Sequence, residues 1–181
     1  MPADGGGGRK KSKKEREKQA NASRRRVVRR LPKLSLAVSS SCHLILAARA
    51  TTGAGADQPH FEKLLLDAWR RTRVKCVVAD AGFDSEKNHR VAREDMGVRS
   101  IIPPNAGRPT HKKPSAHHRR NMYHRFARGA DKKIYGQRWQ VETVNSMIKR
   151  NLGSALRARS ARRRSYELLL RVITHNVMLL C

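Results

Sequence analysis

The chain has 181 residues and a formal charge of +27, from 41 Lys and Arg against 14 Asp and Glu, which predicts a polyanionic partner such as DNA or RNA. No apolar run is long enough to cross a membrane and residues 1–26 lack the apolar core of an export signal, so we expect an intracellular, cytoplasmic protein that joins the nucleoid when it binds DNA. The three cysteines, Cys42, Cys76 and Cys181, form no C-x-x-C pair, so neither a disulfide framework nor a zinc ribbon is indicated and we expect buried, reduced thiols.

Residues 1–33 have the composition of a basic arm. They contain thirteen Lys or Arg and four consecutive glycines, and before Val27 they carry no apolar residue larger than alanine apart from Met1. Such a segment cannot bury enough apolar surface to fold alone. We expect a disordered arm that lies along phosphates, followed by one folded domain over residues 34–181.

The first element of that domain is predicted to be a hairpin. Larger and smaller residues alternate over residues 34–38, three serines mark a turn, and residues 43–48 form a second apolar run. A helix is then expected to begin at Asp57, with this side chain as its N-cap. Pro59 fits the first turn, and the apolar residues that follow have helical spacing.

A β-α-β unit is predicted next. One short β-branched strand ends at Asp80, and a second is stopped by Pro103. A helix between them is expected to be capped by Asp84 or Ser85, and Gly97 suits the left-handed residue after its end. General handedness rules make the two strands parallel.

The following segment, residues 105–133, is strongly basic. It holds nine Lys or Arg against the single acid Asp131, and we expect a loop and a basic helix. Three histidines in it, His117, His118 and His124, stand among arginines that repel cations, so a solvated segment is favoured over a metal cluster.

The C-terminal part is predicted to be helical. A long helix is expected over residues 134–152 and a last apolar helix over residues 166–180, with His175 packed in the core. Between them, the arginine-rich stretch 157–164 is expected to contact phosphates.

The predicted helix over 134–152 carries a stripe of polar residues. Tyr135, Arg138, Glu142 and Lys149 are spaced by three, four and seven positions, so at about 100° per residue they share one narrow face. Apolar residues cover the other side. The stripe therefore presents one carboxylate beside two cations and a phenol.

Asp80 is the second carboxylate of interest. Open α/β sheets bind ligands at the carboxyl ends of their strands, which is where Asp80 stands. A hard cation such as Mg²⁺ needs carboxylate oxygens and can activate water for phosphodiester cleavage. Asp80 and Glu142 would supply such a metal site, and Arg138 and Lys149 would then hold phosphates beside it.

Simpler interpretations of these residues stay open. Arg138 and Glu142 are also spaced for an exposed i, i+4 ion pair. Tyr135 could pack its ring against the sheet instead of touching DNA. Asp84 is better placed to cap its helix than to bind metal.

Two motifs resemble those of insertion-sequence transposases of the DDE class. One is the string Tyr135-x2-Arg138-x3-Glu142-x6-Lys149, which is similar to the Tyr-Arg-Glu-Lys signature of that family. The other is VADAGFDS at residues 78–85, which looks like the segment with the family's second catalytic aspartate.

The resemblance covers about residues 32–180 and implies a fold and a function. The implied fold is α/β and ribonuclease-H-like, a mixed sheet flanked by helices. Asp80 and Glu142 would be the catalytic, metal-binding residues, with two Mg²⁺ ions that Mn²⁺ could replace. The implied partner is double-stranded DNA, as transposon ends and target, and several copies of the protein could assemble on it. The implied DNA-binding residues are Tyr135, Arg138 and Lys149.

The chain departs from this family near its N-terminus. The family has a first catalytic aspartate on an opening strand, where this chain has low-complexity Arg, Lys and Gly. Asp4 lies about the right distance upstream, but no strand pattern surrounds it, and we expect a solvated acid. The sequence therefore predicts a truncated or inactive transposase copy without the opening strand.

The alternatives are a non-catalytic DNA-binding remnant and a general RNA-binding protein, the latter disfavoured by an aromatic content of 4%.

Overall fold

An antiparallel hairpin comes first in the described part of the chain. The computed structural model describes residues 32–51, 53, 55–105 and 113–181. Lys33–Val38 (β1) pairs with Ile45–Thr51 (β2), and the register shifts once, between Ala37 and Val38. The hairpin predicted from the alternating pattern is confirmed.

A 3-10 turn, Gln58–His60, leads into the helix Phe61–Trp69 (α1), and Pro59 lies in the first turn as predicted. The expected N-cap is wrong, because the Asp57 side chain makes no cap hydrogen bond. Its carboxylate instead lies 2.6 Å from Lys33 Nζ, so it ties the start of α1 to the start of β1.

The predicted β-α-β unit is confirmed. Cys76–Val78 (β3) and Arg99–Ile101 (β4) pair in parallel. The helix Glu86–Arg90 (α2) lies between them and continues as a π-helical turn over Val91–Asp95. Gly97 follows with φ +63°, a left-handed conformation that glycine adopts without strain.

Four helices follow in the described residues, and their bounds are His117–Ala127 (α3), Lys132–Gly136 (α4), Trp139–Leu152 (α5) and Ala161–Leu180 (α6). The basic helix expected within 105–133 is present as α3. The single helix predicted over 134–152 is wrong, because the chain makes a tight turn at residues 137 and 138 that separates α4 from α5.

The described strands form two sheets of two strands each, β1 with β2 and β3 with β4. With the helices, they make the mixed α/β architecture that the sequence predicts. One core joins α1 to the β-α-β unit, and a second lies where the hairpin meets α5 and α6. The buried residues of the first core are Phe61, Leu65, Ala92, Val98 and Ile102, and those of the second are Ile45, Val144, Ile148 and Val172.

The helix α6 covers the outer edge of β2. The Asn176 side chain accepts a hydrogen bond from Ile45 N–H and donates one to Ile45 C=O, both at 2.9 Å. His175 beside it is buried and contacts the His43 carbonyl, which confirms its predicted place in the core. The amide of Asn176 therefore satisfies an edge that would otherwise expose backbone groups.

Some predictions fall on residues outside the description. Of the basic arm only residues 32 and 33 are described, so Asp4 lies outside the described residues, as does the expected disorder. Within the described helices, none is long and apolar enough to span a membrane. The cysteines are free, but Cys42 and Cys181 are exposed, so the expected burial is wrong for these two.

Candidate active site

Asp80 stands two residues after β3, with its side chain exposed. Its Oδ1 accepts a hydrogen bond from Ala81 N–H at 2.8 Å and so caps a 3-10 turn over Ala81–Phe83. Oδ2 makes no hydrogen bond within the described part of the chain. One carboxylate oxygen is thus fixed in direction while the other stays available to a ligand.

The turn after Asp80 depends on Gly82. A Cβ atom at this position would lie 3.0 Å from Asp57 Oδ2, and the Asp57 carboxylate is held by Lys33. The glycine therefore allows the turn to approach the start of the hairpin closely. This contact fixes the carboxyl end of β3 relative to β1.

Glu142 lies in the first turn of α5, with 61% of its side chain exposed. Its Oε1 is 2.9 Å from a guanidinium nitrogen of Arg138, the residue that immediately precedes α5. The ion pair left open by the sequence is therefore present. Because Glu142 is largely in water and Arg138 is 36% exposed, the ion pair stabilises the fold weakly.

Tyr135 is half-buried at the end of α4 and packs edge-on against Phe126 of α3, with ring centroids 5.2 Å apart. The ring therefore packs on a helix, and the suggested contact with the sheet stays a prediction. The Arg138 guanidinium lies 6.0 Å from the ring centroid. Tyr135 thus connects the basic helix α3 to the start of α5.

The pKa of Tyr135 is raised above its ordinary value. Burial is the largest cause, and the negative charges of Asp80 and Glu142 add to it, while Arg138 acts in the opposite direction. Both carboxylates therefore lie near the same phenol. Each of the two acids of the predicted site therefore lies within electrostatic range of this phenol, and a shared metal site stays a prediction.

Lys149 follows Glu142 by seven positions on α5, which at about 100° per residue puts the two on one face. Its side chain is exposed and makes no hydrogen bond or ion pair within the described residues. Of the predicted DNA-binding residues, Tyr135 and Arg138 adjoin Glu142, whereas Lys149 lies two turns away along the helix.

The chemical type of the candidate ligands at this site suits a hard divalent cation. Asp80 and Glu142 supply carboxylate oxygens, the ligands that Mg²⁺ and Mn²⁺ prefer. The described residues contain no group of three or more His, Cys, Asp or Glu that could hold a metal ion. This part of the chain therefore offers two carboxylates to a metal, and the weak candidate Asp4 lies outside it.

Asp84 has a different role from the predicted cap. Ser85 caps α2 by accepting from Asn88 N–H at 3.1 Å, while Asp84 is 2% exposed and accepts from the Arg119 guanidinium at 2.7 and 3.0 Å. Burial opposes its ionisation, but hydrogen bonds from His89, Arg119 and the backbone outweigh it and lower the pKa of Asp84. The residue is a structural anchor for α3.

Glu86 attaches α3 to the β-α-β unit a second time. Its two carboxylate oxygens accept from the backbone N–H groups of His118 and Arg119, at 2.9 and 3.0 Å. These groups belong to the first turn of α3, where Ala116 provides no side-chain cap. His118 also pairs with Glu94 at 2.8 Å, so it contacts an acid rather than a cluster of metal ligands.

Two further residues near Glu142 belong to no motif that the sequence analysis recognised. Trp139, the first residue of α5, is 52% exposed and adjoins Arg138. Gln140 is buried and contacts the His43 ring at the hairpin turn. The signal for Trp139 is an aromatic residue in a polar stretch, whereas the Gln140 contact spans 97 positions and leaves no local signal.

The arginine-rich stretch is held by α6. Glu167 accepts from the backbone N–H groups of Arg157 and Ala158, and Arg171 donates to the carbonyls of Gly153 and Ala155. This pattern fixes the loop after α5. Phosphate contact by the arginines there stays a prediction.

Comparison with known proteins gives one match. A family model described as "Transposase DDE domain" matches residues 3–177. No curated protein and no solved structure matches the chain. The match spans nearly the whole sequence, including Asp80, Glu142 and the stretch around Asp4.

Proposed function

The chain belongs to the transposase DDE domain family, and from this membership we propose that it binds and cleaves DNA in the transposition of an insertion sequence. Asp80 and Glu142 act as carboxylate ligands of Mg²⁺ or Mn²⁺ in this proposal. Tyr135, Arg138 and Lys149 hold the DNA backbone beside them.

One observation carries the proposal. The family match covers residues 3–177 and so includes both Asp80 and Glu142, and the charges of both acids act on Tyr135, whose pKa is raised chiefly by burial. Ordinary ion pairing explains the contact of Glu142 with Arg138, but it gives no reason for Asp80 to lie nearby. Two exposed acids near one basic surface are expected where a cation and a phosphate are bound together.

A divalent cation at this site would activate water and stabilise the leaving oxygen of a phosphodiester. Asp80 offers the oxygen that Ala81 does not engage. Arg138 exchanges its exposed ion pair with Glu142 for a phosphate, which a guanidinium binds with two hydrogen bonds. Tyr135 is protonated at neutral pH, as a tyrosine ordinarily is, and its raised pKa acts in the same direction, so its hydroxyl can donate to a phosphate oxygen.

The ribonuclease-H-like sheet is part of the same proposal. It is supported by the separation of the described strands into two pairs, in which β1 and β3 each have one edge unpaired within the described residues. A strand between these two edges would make one mixed sheet. Such a strand would end beside Asp80 and could bring a third carboxylate to it.

DNA binding rests on charge and on the attachment of α3. The chain carries +27, and α3, which packs on Tyr135 through Phe126, contributes Arg119, Arg120 and Arg125. Arg119 forms an ion pair with Asp84, and Arg125 forms one with Asp131 at 2.7 Å. Arg120 is exposed and is the α3 arginine best able to reach a phosphate.

A second candidate function is DNA binding without cleavage. It is favoured by one observation, that the described residues contain no group of three or more potential metal ligands. Two carboxylates hold a hard cation less firmly than three, because affinity rises with the number of charged ligands. The two candidates share the DNA surface and differ in the metal.

Metal binding can be tested directly by titrating the full chain with Mn²⁺ and measuring free Mn²⁺ by electron paramagnetic resonance. We expect saturable binding that Asp80→Asn and Glu142→Gln each weaken by about tenfold or more. Asp95→Asn is the matched control, because this aspartate is exposed on the π-helical turn away from the site. Equal binding by all four proteins would overturn the metal site and leave the DNA-binding function.

A further inference from the structure

The outer face of α6 carries an apolar stripe. Its residues are separated by four, three, four and three positions, and each is between 50% and 75% exposed. The stripe, called here the α6 stripe, consists of Tyr166, Leu170, Ile173, Val177 and Leu180. Apolar side chains this exposed and this regular are unusual on the surface of a monomer.

The α6 stripe faces away from the core. At about 100° per residue the five side chains fall within an arc of about 80°, while the buried His175 lies about 180° from Tyr166. The inward side of α6 is the one that contacts β2, through Asn176 and Ile45. The described part of the molecule therefore leaves the stripe uncovered.

The spacing identifies the kind of surface that would cover it. Apolar residues alternating by four and three positions form the seam of two helices packed side by side in a coiled coil. Over 14 residues the stripe is about 21 Å long, or two heptads. We propose that α6 is a dimer interface, at which the α6 stripes of two copies of this chain pack antiparallel.

The rest of the chain is a poor alternative occupant. Residues 1–31 contain only four apolar residues larger than alanine and proline, which are Met1, Val27, Val28 and Leu31, and residues 106–112 contain none. Neither segment has the composition to cover five large side chains. A second copy, in contrast, offers an identical stripe with matching length and spacing.

The distribution of charge favours a second copy here and sets its direction. Two copies of a chain with a charge of +27 repel each other, but residues 172–181 contain no charged side chain, so repulsion is weakest at this end of α6. Three arginines, at positions 162, 163 and 164, stand at the other end of α6, and the Arg162 guanidinium lies over the Tyr166 ring. Parallel packing would bring the two arginine clusters together, whereas antiparallel packing separates them.

In the antiparallel dimer, Leu170 of one copy lies beside Val177 of the other, and Ile173 lies near the two-fold axis. A single helix pair buries less than a standard interface of about 1,600 Å². We therefore expect a dissociation constant in the micromolar range. The inference does not depend on metal binding or on DNA cleavage.

Sedimentation equilibrium of the full chain tests the proposal. The protein is freed of nucleic acid and measured across the micromolar range in about 0.5 M salt, which screens repulsion beyond a few ångström. We expect a concentration-dependent mass that approaches twice the 20.5 kDa chain. A mass that stays at one chain across the range would overturn the dimer.

Neighbouring residues on α6 supply a matched pair of variants. Val177 is in the stripe and Met178 lies about 100° around the helix, and they are 52% and 50% exposed. Val177→Glu should weaken association by about tenfold or more, because it places two acids in the seam, and Met178→Glu should associate like the wild type. Both changes reduce the net positive charge equally. Equal association of the two variants would locate the interface elsewhere and contradict the proposal.

Cross-linking tests the direction of packing. With Cys42 and Cys181, the two exposed cysteines, replaced by serine, Leu170→Cys and Val177→Cys are made separately and mixed. Antiparallel packing predicts disulfide formation mainly between the two different variants. Efficient cross-linking of Leu170→Cys to itself would mean parallel packing and would overturn the proposed arrangement.

Discussion

The Arg138 guanidinium lies 2.9 Å from the Glu142 carboxylate, at the point where α4 gives way to α5. Both side chains are substantially exposed, so the pair is worth about 0.5 kcal/mol or less. Such a contact is readily exchanged when a phosphate or a cation arrives. The pair is therefore compatible with a site that binds both.

Replacing Arg138 by alanine separates its structural role from its proposed role on DNA. The free energy of unfolding should fall by about 1 kcal/mol or less, because the change removes a partly exposed ion pair and the contact with the Tyr135 ring. Metal-dependent cleavage should fall by about tenfold to a hundredfold, the value of one charge-assisted hydrogen bond to phosphate. Chemical denaturation and a DNA nicking assay measure the two quantities.

The control for this prediction is Arg150→Ala, since Arg150 is also exposed but lies at the other end of α5. Each variant removes one positive charge, so the salt-dependent part of DNA affinity should decline alike. If both variants cleave DNA equally well, Arg138 has no special place in the site.

Replacing Asp84 by asparagine should strongly destabilise the protein. The carboxylate is buried and pairs with Arg119, which is 30% exposed, so the change leaves the guanidinium without its counter-charge. We expect a loss of about 3 kcal/mol, at the lower end of the range for buried pairs because Arg119 keeps some water. Urea denaturation measures the loss, and exposed Asp95→Asn should cost almost nothing.

Acid should destabilise the protein through the same group. The pKa of Asp84 is lowered in the folded state by hydrogen bonds that outweigh burial, and the pKa of Asp131 is lowered chiefly by its hydrogen bond with Arg125. Their contribution to stability is complete above the unfolded pKa, about 4, and is lost as the pH falls through the folded values.

The thermal midpoint should therefore decrease as the pH is lowered below about 4. Asp84→Asn should show a smaller decrease than the wild type over the same interval, and Asp95→Asn the full decrease. Parallel curves for Asp84→Asn and the wild type would mean that this carboxylate contributes nothing to the acid transition.

Replacing Glu86 by alanine should loosen the basic helix. The side chain caps α3 by accepting from two of its backbone N–H groups, so its loss should cost about 1 kcal/mol and increase hydrogen exchange over His117–Ala127. Glu94→Ala is the control, because Glu94 contacts only the His118 ring of this helix. Equal exchange in both variants would show that the cap has no such effect.

Local sequence patterns predict the hairpin, the β-α-β unit and the left-handed Gly97 correctly. Each depends on residues that are close in sequence, such as the alternation in β1 or the glycine after α2. The break between α4 and α5 is different. Its local sign is Gly136, which costs about 1 kcal/mol relative to alanine inside a helix, but the polar stripe suggests a continuous helix across it.

Contacts between distant segments could not be predicted in this way. Asp84 precedes α2 like an ordinary cap, and its pairing with Arg119 joins residues 35 positions apart. The contact of Gln140 with His43, which helps to set the start of α5 beside the hairpin, spans 97 positions. The proximity of Asp80 and Glu142 to Tyr135 follows from such packing, so the sequence indicated it only indirectly, through the place of Asp80 at a strand end and the resemblance to a family.

Asp80 and Glu142 are proposed to hold together a divalent cation that supports DNA cleavage. The most direct test is nicking of supercoiled DNA that carries the inverted repeats flanking the gene, with Mg²⁺ or Mn²⁺, by the full chain and by Asp80→Asn, Glu142→Gln and the control Asp95→Asn. We predict metal-dependent nicking that the first two changes abolish and the control retains. Nicking that survives both changes, or DNA that is bound but never cut by the wild type, would contradict a catalytic metal site at Asp80 and Glu142.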